Sequence, residues 1–218
     1  MTNRRVIHGD GLAWLREANL GPEHALVTSL PDRSELDVDL ATWRQWFLDA
    51  AELVLRQTHP QAVAIFYQTD VKDSGLWIDK AFLVQTAAVA ADVGLLFHKI
   101  VCRVPAGRVS FGRPAYAHLL AFSAGLRLTP AQASADVLPE LGHMTWSRAI
   151  GSAACTAICR FLLTHTNSRV VVDPFCGRGT ILAAANAHGL DAVGVELARK
   201  RAELARRLIW KVDVGSVE

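Results

Sequence analysis

The chain has 218 residues, 51% hydrophobic and 20% charged, the balance of a globular protein with enough material for one well-buried domain. Lysine and arginine number 23 against 21 acidic residues, so the formal net charge is only +2, and any binding of nucleic acid must come from a local patch rather than an overall field. No apolar run approaches the roughly 18 residues that span a membrane. The polar start Met1-Thr2-Asn3-Arg4-Arg5 opens no signal-type segment, which points to a cytoplasmic protein with no membrane partner. Cys102, Cys155, Cys159 and Cys176 lack CxxC spacing and read as core thiols of a reducing compartment rather than metal ligands.

Val6-Ile7-His8-Gly9-Asp10 reads as a short strand ending in a turn, followed by a helix through Leu12 and Leu15. Residues 25–29 form a second strand, stopped by Pro31. Trp43, Trp46, Phe47, Ala50, Ala51, Val54 and Leu55 recur at helical spacing, and the continuous apolar run 62–67 predicts a strand buried on both faces. A helix over 77–93 follows, then a strand pair over 95–104 and 116–122 around a loop punctuated by Pro105, Gly107, Gly112 and Pro114. Over 123–146 no period survives, and Gly125, Pro130, Pro139 and Gly142 mark the longest loop, a common place for function. The rest predicts a helix over 148–164, a strand over 169–173, a glycine turn, a helix through Ala187, a strand over 191–196 and a basic last helix with Leu204 and Leu208 on its buried side. Alternation of this kind predicts a doubly wound, mostly parallel α/β sheet.

The stretch Val171-Val172-Asp173-Pro174-Phe175-Cys176-Gly177-Arg178-Gly179-Thr180 is a strand, a glycine turn and a helix start, placed late in the chain. Leu182 stands at the third glycine position, where a dinucleotide fold needs a small residue for close helix and strand packing, so a pyrophosphate ligand is disfavoured. Asp173 at the strand end, two glycines that admit a ligand close to the backbone, and a helix N-terminus suited to a carboxylate fit a charged amino-acid moiety on a nucleoside. Glu196 ends the next strand, placed either to accept both hydroxyls of a ribose or to cap the last helix.

These residues resemble a known family. Asp173-Pro174-Phe175-Cys176-Gly177-Arg178-Gly179-Thr180 followed by Ala192-Val193-Gly194-Val195-Glu196-Leu197 is similar to the S-adenosylmethionine-binding motifs of class I methyltransferases, in the form typical of amino-methylating DNA methyltransferases. Val6-Ile7-His8-Gly9-Asp10, then Ala25-Leu26-Val27-Thr28-Ser29-Leu30-Pro31-Asp32, resembles that family's GD turn and catalytic tetrapeptide. The resemblance implies a seven-stranded Rossmann-like methyltransferase sheet, circularly permuted, in one domain: a catalytic half over 1–123, a variable loop over 124–147 and a cofactor half over 148–218. It implies S-adenosyl-L-methionine as cofactor, bound by Asp173, Phe175, Cys176, Gly177, Gly179, Thr180, Glu196, Leu197 and Asp10, with Asp173 and Gly177 along its methionine part. Glu196 would hold the ribose and Asp10 the adenine amino group, and Asp10 read alone is equally a helix cap.

By the same resemblance Ser29, Leu30, Pro31 and Asp32 form the catalytic loop. Ser29 and the Leu30 carbonyl would accept hydrogen bonds from an amino group and orient its lone pair, with Pro31 holding Leu30 extended. Asp32 stands where the family has a stacking aromatic. It would accept a proton or hydrogen bond, or form a solvated capping cluster with Ser34 and Glu35. Tyr67 at the end of its strand is the candidate for stacking on an extruded base, or else a core residue. Trp146, Phe111 and Tyr116 are further aromatics near loops. Arg103, Arg108 and Arg113 suit phosphates, as charged solvated loops also do. His98, His118, His143 and His165 lack metal-ligand spacing and read as structural, so no metal is expected. The expected activity is methylation of a base nitrogen in DNA or RNA, with a non-catalytic cofactor-binding module or a different acceptor as alternatives, and a protein partner or homodimer compatible with either.

Overall fold

The computed structural model describes residues 2–110 and 112–211. In chain order its elements are β1 (Arg4–His8), α1 (Gly11–Glu17), β2 (His24–Thr28), α2 (Arg33–Leu36), α3 (Leu40–Gln57), β3 (Ala64–Gln68), β4 (Val71–Asp73), β5 (Leu76–Ile78), α4 (Lys80–Ala91), β6 (Gly94–Cys102), β7 (Tyr116–Ser123), β8 (Val137–Leu138), α5 (Ser152–His165), β9 (Val170–Asp173), α6 (Thr180–Ala187), β10 (Asp191–Glu196) and α7 (Arg199–Arg207). Local chemistry sets many of the boundaries. The carboxylates of Asp10, Asp39 and Asp79 each accept backbone N–H groups at the starts of α1, α3 and α4.

The strands form one sheet in the order β1-β10-β9-β2-β3-β7-β6-β8. The first five are parallel to their neighbours, and β7 runs antiparallel to both β3 and β6. The late strands β9 and β10 therefore lie inside the sheet, between β1 and β2, an order consistent with the permuted reading. Seven strands match the expected set, and the two-residue β8 adds an eighth at the edge. Helices α1, α3 and α4 cover one face, burying Leu15, Trp43, Phe47 and Val84 against Leu26, Phe66 and Phe122. The other face holds Cys155, Ile158, Ile181 and Ala205 from α5, α6 and α7. Among the described residues no helix is long and apolar enough to cross a membrane.

Two readings change. The expected helix over 77–93 begins only at Lys80, because Leu76 and Trp77 belong to a separate β4–β5 hairpin in which Trp77 pairs with Lys72. On α7 the buried side is Ala202 and Ala205, while Leu204 is 49% exposed, because small residues let the helix approach the sheet and the glycine turn closely. Leu182 does not push α6 off the sheet either. The small residue has moved to the facing strand, where a Cβ on Gly194 would stand 2.8 Å from Cys176 Sγ and also meet Leu182 Cδ1.

Candidate functional site

The parallel strands end on one edge, and there an open cleft of about 460 Å³ lies, within the roughly 300–1,000 Å³ of small-molecule sites. On one side of it Asp173 closes β9. Its Oδ1 accepts from Thr28 Oγ1 at 2.7 Å and from the Phe175 N–H at 3.0 Å, which ties the early strand β2 to the late glycine turn. Burial pushes the Asp173 carboxyl up to about 7, against the pull of those two hydrogen bonds and with a further push from Glu196. The turn then passes through Gly177 at φ 55° and Gly179 at φ 80°, left-handed values that suit glycine. A Cβ at Gly179 would also lie 2.8 Å from that of Ala205, so this glycine supports α7 rather than lining the cleft. The Cys176 N–H donates to Val195 O at 3.0 Å, fastening the turn to β10, and burial pushes the Cys176 thiol up, so it is not a reactive thiolate.

Glu196 ends β10 at 5% exposure, and its Oε1 accepts from the Ala198 N–H at 2.7 Å and lies 3.0 Å from Arg201 Nε. Glu196 thus braces the turn that leads into α7 through the Ala198 N–H and also lines the cleft. Arg201 lies 3.6 Å from Glu35, and Glu35 lies 3.0 Å from Arg148, so a chain of charges crosses the cleft from β10 to α2. Asp10 caps α1 through Ala13 at 2.8 Å and also lines the cleft.

The loop after β2 brings Ser29, Leu30, Pro31 and Asp32 to the cleft wall. Leu30 is 2% exposed and anchors the loop in the core, and Trp43 Nε1 donates to the Pro31 carbonyl at 3.1 Å. Asp32 forms the capping box of α2 with Glu35 and an ion pair with Lys80 Nζ. Lys80 is 2% exposed, and its ammonium stands 5.8 Å from the ring centres of both Trp43 and Phe47. Where the family has a ring, this chain therefore has a carboxylate held by a buried cation.

Several expected residues are placed differently. Tyr67 lines the cleft but is only 4% exposed, with burial raising its phenol to about 12, so its ring is committed to the core instead of to stacking. Arg103 and Arg113 line the cleft, the first donating to Thr69 Oγ1 at 3.2 Å, whereas Arg108 is exposed on the loop beyond it. Phe175, Thr180 and Leu197 line the cleft, Leu197 at its rim with 68% exposure. Trp146 lies in it with the Arg178 guanidinium 5.0 Å from its ring centre, Tyr116 packs edge-on to His118, and Phe111 lies outside the described residues.

Among the cleft-lining residues that the sequence did not single out for the site are Trp46, Thr69, Asp70, Lys80, Arg148 and Arg201. Lys80 and Asp70 carried no usable signal, since a lysine opening a helix and an aspartate in a turn are ordinary. The histidines that looked scattered include a pair, because β6 and β7 align Ile100 with His118 and so set His98 diagonally beside it.

Strand order, antiparallel β7 and a cleft at the strand ends define the Rossmann-like fold of class I methyltransferases. Among solved structures, the putative DNA modification methylase TTHA0409 from Thermus thermophilus, complexed with S-adenosyl-L-methionine, superposes with a TM-score of 0.71 at 20% identity, covering 94% of each chain. The cytosine-N4-specific PvuII DNA methyltransferase gives 0.67 at 16% identity over 98% of this chain and 89% of its own. M1.HpyAVI gives 0.60 at 15% identity over 94% and 97%. No family model and no curated protein matches the sequence.

Proposed function

We propose that the chain is an S-adenosylmethionine-dependent methyltransferase acting on an amino nitrogen of a nucleic-acid base. The observation that carries this reading is the convergence in one cleft of two buried carboxylates at adjacent strand ends, Asp173 and Glu196, with the glycine turn between them and the Ser29–Asp32 loop opposite. That donor set fits a ligand with a cationic end and a vicinal diol: Asp173 and Gly177 would hold the amino-acid end, and Glu196 the ribose. The cofactor, when bound, supplies a methyl group activated on a sulfonium. Ser29 and the Leu30 carbonyl hold the acceptor amine, and Arg103, Arg113 and Arg148 line the cleft with positive charge suited to phosphates. DNA is favoured over RNA because the structural neighbours are a putative DNA modification methylase and a DNA methyltransferase.

The test is calorimetry with S-adenosylmethionine, followed by transfer of labelled methyl groups onto DNA, tRNA, rRNA and protein. Label on DNA is expected. A folded sample that binds no cofactor refutes the reading, and label only on protein refutes its nucleic-acid part.

A further inference from the structure

Among the carboxylates that line the cleft, Asp32, Asp173 and Asp70 differ in what else holds them. Asp32 is neutralised by Lys80 and engaged in the α2 cap, and Asp173 is tied to Thr28 and the Phe175 N–H and assigned above to the cofactor. Asp70 lies two residues past β3, on the same sheet edge as Ser29, since β2 and β3 pair Thr28 with Phe66. It is 6% exposed and lines the cleft, and the Lys80 N–H fixes its Oδ1 at 2.8 Å. Its Oδ2 lies 3.0 Å from His118 Nε2, and His118 Nδ1 lies 2.9 Å from Nε2 of His98, which is exposed. A continuous chain of proton-bearing groups thus runs from the cleft to solvent.

We infer that Asp70 is the proton acceptor of the methyl transfer and that His118 and His98 pass the proton from it to solvent, an inference that rests on the function proposed above. The loop's first residue is Ser29, a neutral acceptor, and hydrogen bonds to a carboxylate are roughly twice as strong as neutral ones. Asp70 supplies the charge that Ser29 lacks. As the acceptor nitrogen forms the N–CH₃ bond, the S–CH₃ bond breaks and its electron pair stays on sulfur. The nitrogen, now cationic, gives a proton to Asp70. With the His118 proton on Nδ1 and donated to His98 Nε2, His118 Nε2 receives the proton from Asp70 while its own passes to His98. His98 then releases its Nδ1 proton to water, no added charge remains in the cleft, and reorientation of the two imidazoles restores the starting tautomers before the next turnover.

The surroundings favour this direction. Burial, and next the neighbouring His118, hold the His98 imidazole below the ordinary histidine range against the opposing fields of Asp79 and Asp70, so it is neutral near pH 7 and ready to accept. The other charged or titratable groups facing the chain are Asp79 and Lys80 at the start of α4 and Tyr116 on β7. On the β8 side Val137 and Leu138 carry no titratable group.

The experiment uses the full chain with its labelled nucleic-acid acceptor, in single turnovers between about pH 5.5 and 8.5. Asp70→Asn is expected to slow transfer by about a hundredfold or more with cofactor affinity unchanged. The exposed variant His98→Gln is expected to slow it roughly tenfold near and above neutral pH, where His98 is neutral, with the difference narrowing toward acid, KM unchanged and the rate restored by concentrated imidazole buffer. A wild-type pH profile for His98→Gln with no imidazole response overturns the relay while leaving the methyltransferase reading intact. Cofactor binding without methyl transfer to any nucleic acid by the wild-type chain overturns that reading, and the relay with it.

Discussion

Asp173 offers a test that needs no substrate. Its carboxyl titrates at about 7 in the folded chain, where burial disfavours the charge, and near the ordinary aspartate value of about 4 once unfolded. The unfolded state therefore ionises first as pH rises. Stability attached to this group is fully present below about pH 4, declines as pH rises and is lost above about 7, at roughly 1.4 kcal/mol per pH unit. Over that window the loss is on the order of 4 kcal/mol. Asp173→Asn keeps an oxygen for Thr28 and the Phe175 N–H but cannot ionise, so its stability relative to the parent should rise steadily between about pH 5 and 7 and then level off. Urea unfolding followed by circular dichroism at several pH values measures the difference. A difference that stays constant across the range would falsify the assignment of a raised carboxyl. A cationic ligand beside Asp173 should draw the group back to its charged form, so cofactor binding near pH 6 should release protons, visible as a dependence of calorimetric heat on buffer.

Glu196→Gln should weaken S-adenosylmethionine binding by roughly tenfold or more with little change in Tm, read by calorimetry and thermal unfolding. Asp32→Ala strands the buried Lys80 ammonium and should cost about 3–5 kcal/mol in chemical denaturation, whereas Lys80→Met leaves only a partly exposed carboxylate and should be near neutral; equal effects of the two would contradict the burial asymmetry. Gly194→Ala forces a Cβ against Cys176 and should destabilise by about 1–3 kcal/mol, a Tm fall of roughly 2–4 °C per kcal/mol. An unchanged Tm would show that α6 can back away freely.

Period and punctuation revealed the sheet because its strands are buried on both faces and read as unbroken apolar runs, as residues 62–67 do. The glycine turn and Glu196 were legible because a backbone that must turn left-handed, and a carboxylate at a strand end, are local properties. What stayed hidden depends on distance. The Asp32 and Lys80 pair joins residues 48 apart in sequence, and Asp70 meets His118 across another 48, contacts no window of sequence encodes. Trp77 misled because its apolar neighbours fit a helical period, while the turn at Ser74 and Gly75, both at positive φ, closes a hairpin instead.

The position of β9 and β10 has a consequence for how the molecule is made. β1 pairs Arg4 with Ala192, and β2 pairs His24 with Val170, so β1 and one edge of β2 wait for partners synthesised more than a hundred residues later. Arg4 also donates to the Ala205 and Leu208 carbonyls, stitching the opening strand to the last helix. Until those segments emerge, β1 and one edge of β2 stand unpaired, open to wrong partners and to proteases. Completing the sheet at β9 and β10 therefore requires closing loops more than a hundred residues long, the slowest kind of contact to form.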